Sequence, residues 1–236
     1  MKRSTLLVFA HPDDESFGMA GTIKKYTQQG VPADLICATR GEKGSRVDVP
    51  ANIDTGTARE AEVRAAAAII GIRDIYFLGY IDGELDKADV EEVVNKIKDI
   101  IRRVQPEIVI TFGPDGITGH NDHVAIGKAA TKAFERLSVE ESGPRKLYYV
   151  TIAASAVPNA DDFGVATRPD EKVTISTDIS DYLDSKIQAI AAHRSQQDAR
   201  EFIKMLEESR ESGLAEKEYL YLAIPGSTAK ETDLFQ

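Results

Sequence analysis

Short apolar runs alternate with longer stretches of helical periodicity through the first half of the chain. Segments 5–10, 34–39, 75–78 and 108–112 (Thr5-Leu6-Leu7-Val8-Phe9-Ala10 is the first) read as four strands. Their apolar residues are continuous rather than alternating, as in strands covered on both faces. Between them the pattern predicts helices over 17–29, stopped by Gly30, over 57–70, ended by Gly71, and over 88–104, broken by Pro106. The third carries Val90, Val93, Val94, Ile97, Ile100 and Ile101 at helical spacing. Thr57 and Glu60 stand in the relation of a capping box. A further helix opens at His120-Asn121-Asp122-His123 and runs to about Leu137.

The last third is less regular. Strands are expected over 146–154, 173–176 and 219–224, helices over 179–193 and 198–211, and a loose tail beyond Pro225. Strands alternating with helices predict a single α/β domain over 1–236, with a mostly parallel, Rossmann-like sheet, helices on both faces and right-handed crossovers. Such folds bind ligands beyond the carboxyl ends of their strands. The loops to search are therefore 10–16, 39–56, 79–86 and 113–123.

Composition narrows the partners. The apolar fraction of 42% supports a packed core, and 29 basic against 39 acidic residues leave a net charge of −10. That balance argues against nucleic acid or an anionic membrane as partner. No apolar run approaches the roughly 18 residues of a membrane span. The basic start Met1-Lys2-Arg3 is followed by an apolar run that ends at His11, so no signal peptide fits. The one cysteine, Cys37, can form no intrachain disulfide and suits a reducing cytoplasm. The expected setting is cytoplasmic, with a small-molecule substrate and room for a homo-oligomer.

Three of the four histidines fall in the searched loops. His11 follows the first strand directly, with Asp13 and Asp14 two and three residues on; His120 and His123 lie after the fourth. Two imidazoles, one carboxylate and a water form the ligand set of an open catalytic zinc site. Spacing does not decide whether Asp13 or Asp14 binds the metal; the other could take a proton from the water. If His123 is a ligand, His120 need not be, and Asp122 could orient His120 or cap the helix.

These residues carry a resemblance. Ala10-His11-Pro12-Asp13-Asp14-Glu15 is similar to the signature of the LmbE-like (PIG-L) zinc-dependent deacetylases, and His120-Asn121-Asp122-His123 to their H-x-D-H. Gly18-Met19-Ala20-Gly21-Thr22 resembles their first helix, with Ala20 where a glycine is usual. Thr39-Arg40-Gly41-Glu42-Lys43-Gly44, Arg59-Glu60, the loop from Leu78 to Gly83 and the segment ending His193-Arg194-Ser195-Gln196 also resemble family segments. The resemblance implies a Zn2+-dependent hydrolase that removes the acetyl group from N-acetylglucosamine-type conjugates. It implies His11, Asp14 and His123 as metal ligands and Asp13 as general base. His120 would be an acid or oxyanion stabiliser, with Asp122 orienting it. Arg59, Asp82, Arg40 and His193 would contact substrate; for each, a structural role weighs about evenly, and for His193 that role is support of a ligand or a helix end. No motif falls between Lys146 and Lys172, so the group attached to the sugar stays open.

Other readings stand beside this one. The same site could serve an amidase of thiol conjugates or an esterase. A non-catalytic sugar- or nucleotide-binding module is disfavoured by the absence of G-x-G-x-x-G and by a complete ligand set. A serine hydrolase is disfavoured by the absence of G-x-S-x-G.

Overall fold

Continuous apolar strands need cover on both faces, and the structure supplies it. A computed structural model describes residues 3–157, 160–210 and 216–236. Its strands are β1 (Thr5–Phe9), β2 (Ala33–Thr39), β3 (Ile72–Tyr80), β4 (Ile108–Phe112), β5 (Lys146–Thr151), β6 (Ile175–Asp178) and β7 (Lys217–Ile224). They form one sheet in the order β3-β2-β1-β4-β5-β7-β6. The first five are parallel; β7 runs antiparallel to β5, and β6 to β7. Strands β1, β2 and β4 are buried at every position.

The helices are α1 (Asp14–Gln28), α2 (Thr55–Ile70), α3 (Val90–Val104), α4 (Asn121–Leu137), the short α5 (Ala160–Phe163), α6 (Leu183–Ala192) and α7 (Gln197–Glu208). The chain steps outward from β1 to β3, then returns past β1 to β4. Right-handed crossovers therefore put α1 and α2 on one face and α3 and α4 on the other. Accordingly α1, α2 and α6 pack together, α7 joins α6, and α3 pairs with α4. The direction of winding reverses between β1 and β4, so their following loops diverge and open a crevice at the carboxyl edge. The loop after β1 carries His11, and the loop after β4 carries His120 and His123. Gly127 brings α4 close to that edge: a Cβ there would lie 2.4 Å from the Phe112 carbonyl oxygen.

Several expected boundaries move for physical reasons. Helix α2 starts at Thr55, and its N-cap is Asp54, whose carboxylate accepts from the Thr57 N–H at 2.9 Å. A carboxylate cap satisfies the free N–H and faces the helix dipole, so the Thr57–Glu60 box does not form. Helix α1 starts at Asp14, three residues before the expected start of periodicity, with Asp13 as N-cap. Strand β3 extends beyond the expected 75–78 because it is an edge strand with exposed positions that interrupt its apolar run. Strand β6 is shifted to 175–178, and a 3-10 turn precedes α6. Residue 211, expected to end a helix, lies outside the described residues. The tail is docked rather than loose. Leu234 is fully buried and donates its N–H to the Tyr26 hydroxyl, while Glu231 accepts from Lys146 and Tyr148.

Candidate metal and active site

His11, Asp14 and His123 converge at the crevice. The separations are 3.2 Å between His11 Nδ1 and His123 Nε2, 3.3 Å between His123 Nε2 and Asp14 Oδ1, and 3.8 Å between His11 Nδ1 and Asp14 Oδ2. Donors at roughly 2.0–2.1 Å from a tetrahedral ion stand about 3.3–3.4 Å apart, so the two nitrogens, and Asp14 Oδ1 against His123, match that spacing, with the other Asp14 oxygen facing His11 somewhat farther off. Each imidazole is held from behind. His123 Nδ1 donates to the Gly116 carbonyl at 2.9 Å, and its ring stacks on Phe112 with centroids 4.1 Å apart. His11 Nε2 donates to Asp82 at 3.1 Å and Asp122 at 3.3 Å. In the neutral rings these bonds leave His11 Nδ1 and His123 Nε2 as bare lone pairs facing each other. Such a pair requires a cation or a proton between its members. Without a cation a proton takes that place. Burial opposes charge on His11, but Asp122 and Asp82 outweigh it and raise its pKa to about 10. Asp14 is also buried, yet His123, His11 and the N–H groups of Ala10 and His11 hold its carboxyl below the ordinary range.

His11 also clusters with His120 and His123, and a further group of potential donors joins His11 with Asp82 and Asp122. Its carboxylates are already engaged. Asp122 accepts from the N–H groups of Gly83 and Leu85, and Asp82 from that of Lys43. They act on the outer nitrogen of His11 and fix its ring. The Asp122 carboxylate thus faces His11, while its backbone N–H holds the His120 ring, and Asp82 takes a structural place beside His11.

Asp13 stands beside this centre in an unusual conformation. Its φ of 125° lies in the positive range that L-residues seldom enter, at a cost of about 1–3 kcal/mol. Arg59 is buried behind it. Its Nη2 lies 2.6 Å from the Asp13 carboxylate and donates to the Pro12 carbonyl at 2.5 Å; Nη1 donates to the Gly41 carbonyl. Gly41 and Gly44 make room for this guanidinium, because a Cβ at either would come within 2.3 Å of it. Arg59 is thus spent on Asp13 and not presented to substrate. Burial pushes the Asp13 carboxyl up, Arg59 pulls it down, and the outcome is about 7.

The remaining expected residues divide. His120 is exposed at the N-cap of α4, with its ring 4.8 Å from that of His11. Its Nδ1 accepts from the Asp122 N–H at 3.1 Å, so the neutral ring presents Nε2–H outward. Burial and the neighbouring His11 and His123 lower its pKa. Arg40 spends its guanidinium on Thr57 and Glu60 at the start of α2. His193 is fully buried; its Nε2 lies 3.0 Å from Glu15. Glu15, in the first signature, is fully buried against Ser16 and His193. One feature escaped the sequence reading. Arg168 lies over the Tyr221 ring at 3.3 Å, and the Tyr221 hydroxyl borders Gly113 at the start of the His120 loop. Neither Arg168 nor Tyr221 sits in a motif; only the ring-rich β7 hinted at a packed rim.

The chain belongs to the PIG-L family, and with its relatives it is an amide hydrolase of the de-N-acetylase class. The family description, GlcNAc-PI de-N-acetylase, matches residues 6–134. A Bacillus cereus protein described as a probable N-acetyl-alpha-D-glucosaminyl L-malate deacetylase 2 is 38% identical over 203 residues, covering 84% of this chain and 86% of its own. Among solved structures, an N,N'-diacetylchitobiose deacetylase from Pyrococcus horikoshii superposes with a TM-score of 0.71 at 24% identity, covering 93% of this chain and 83% of the other. A 4-carboxy-2-hydroxymuconate hydratase from Pseudomonas putida superposes with 0.73 at 24% identity, covering 98% and 100%. The last two establish the fold; chemistry has to be argued from the site. No helix among the described residues is long and apolar enough to cross a membrane.

Proposed function

We propose that the chain removes the N-acetyl group of an N-acetylglucosamine conjugate, using a Zn2+ ion held by His11, Asp14 and His123. The observation that carries this reading is the pair of imidazole nitrogens 3.2 Å apart with a carboxylate oxygen 3.3 Å from one of them. When bound, the ion polarises the acetyl carbonyl and acidifies water.

The chain's own residues supply the rest. Asp13, at about 7, can both accept and return a proton near neutral pH. It takes one proton as water adds to the carbonyl carbon, and returns it to the nitrogen as the C–N bond breaks. The products are acetate and the free amine. His120 stays neutral, because a proton on Nδ1 would oppose the Asp122 N–H. It therefore donates Nε2–H to the developing oxyanion rather than acting as acid. A donor of this kind is commonly worth about 10²–10³ in rate. Asp82 and Asp122 hold His11, and Arg59 holds Asp13. Buried Cys37, whose thiol burial pushes up and keeps protonated, takes no part and suits the cytoplasmic setting we assign.

The test is acetate release from N-acetyl-α-D-glucosaminyl L-malate, N,N'-diacetylchitobiose and free N-acetylglucosamine, before and after chelation and with Zn2+ restored. Release from at least one compound, lost on chelation and recovered with metal, is expected. Release that is indifferent to the chelator would contradict the metal reading.

A further inference from the structure

Below Asp13 lies a buried pair that the mechanism leaves unused. Glu15 and His193 are both fully buried. One oxygen of Glu15 accepts from the Asp13 N–H at 3.1 Å; the other accepts from the Ser16 hydroxyl at 2.6 Å and lies 3.0 Å from His193 Nε2. His193 caps the C-terminus of α6, its N–H bonded to the Ile190 carbonyl. The ring Nδ1 has no partner among the described residues, so the imidazole's one side-chain commitment is through Nε2, to Glu15 and the adjoining Ser16 hydroxyl.

A buried carboxylate and a buried imidazole are costly to keep where an apolar pair would pack. The structure spends them on the amide of Asp13, whose φ is strained. The Asp13 carbonyl is likewise occupied, accepting from the N–H groups of Ser16 and Phe17. Arg59 holds the Pro12 carbonyl and the Asp13 carboxylate. The left-handed φ of Asp13 is thus fixed on both sides, by Arg59 at the carboxylate and by Glu15 at the amide.

We propose that Glu15 and His193 are positioning residues for Asp13. Glu15 locks the Asp13 amide, and His193 locks Glu15, so the far end of α6 sets the direction of the carboxylate. This rests on the reading of Asp13 as the base. Misplacement of about 1 Å in a reacting group can cost on the order of 10² in rate.

The variants are Glu15→Gln, which keeps the volume but puts an NH2 against one of two N–H donors, His193→Leu, and His193→Gln, which keeps a donor near Nε2. They are assayed on whichever acetylated sugar the wild type turns over, with crystal structures of wild type and Glu15→Gln. Glu15→Gln and His193→Leu are expected to lower kcat about 10- to 100-fold with KM and metal content unchanged, and His193→Gln to recover most of the loss. In an Asp13→Asn background Glu15→Gln should cost nothing further, because both changes act on one group. The Asp13 backbone should leave the left-handed region in Glu15→Gln. Unchanged kcat, an equal additional loss in the Asp13→Asn background, or an unmoved Asp13 backbone would each overturn the proposal. A moved backbone in a protein whose Asp13→Asn variant keeps full activity would overturn the base assignment and leave the positioning intact.

Discussion

Helix α1 meets two buried ionic clusters of opposite character. Midway along it, Glu218 accepts from the N–H groups of Gly21 and Thr22 and pairs with Lys186 at 2.7 Å, with both side chains almost wholly buried. One anion meets one cation and both carboxylate oxygens are satisfied, so the cluster is complete as folded. At the N-terminus of α1, five carboxylates (Asp13, Asp14, Glu15, Asp82 and Asp122) are grouped with one guanidinium, Arg59, and imidazoles that also need partners. That cluster is completed only by an added cation or by protons on its imidazoles. The contrast separates a brace from a reactive centre: the brace joins α1, α6 and β7, whereas the centre keeps strain and unmatched charge for chemistry.

Removing a ligand should have the largest effect. His123→Ala should lose the bound metal, read by elemental analysis, and reduce acetate release to background while the fold persists. Breaking the brace should do the reverse. Lys186→Met leaves Glu218 buried without its cation and should cost about 3–5 kcal/mol in chemical denaturation, with kcat per folded molecule unchanged. If Lys186→Met lowered kcat without lowering stability, the brace would belong to the active site.

Smaller effects sharpen the boundary of the centre. Asp122→Asn weakens the support of His11 and should lower metal affinity about 10- to 100-fold, measured by competition with a chromophoric chelator. The pH profile gives the least change. Asp13 acts as base only when ionised, and its carboxyl sits at about 7 without a cation. Activity should therefore rise with pH along a limb centred at or below about 7, since a bound cation lowers that value. A rate that falls as pH rises through this window would reverse the role of Asp13.

The same contrast explains what could be read from the chain. The strands around β1 and β4 were legible because full burial writes itself as an unbroken apolar run, and the ligands because they sit at those strands' carboxyl ends. The supports of the site were named through the family resemblance, but the groups they hold were not legible. Asp122 reaches His11 across 111 positions, and Arg59 reaches Asp13 across 46. No local pattern distinguishes such carboxylates and guanidinium from surface charge. Asp54 is the cap in place of Thr57 because its carboxylate accepts from the Thr57 N–H, which starts the helix one turn earlier. The tail looked loose because its anchors, Leu234 and Glu231, are isolated residues whose partners Tyr26, Lys146 and Tyr148 lie far back in the chain.

The central claim is that Asp13 moves the proton while His11, Asp14 and His123 hold the metal. It is tested most directly by kcat for acetate release in Asp13→Asn carrying one equivalent of zinc. A fall on the order of 10²–10⁴ at full metal occupancy is expected. Turnover close to wild type in that zinc-loaded variant would contradict the account.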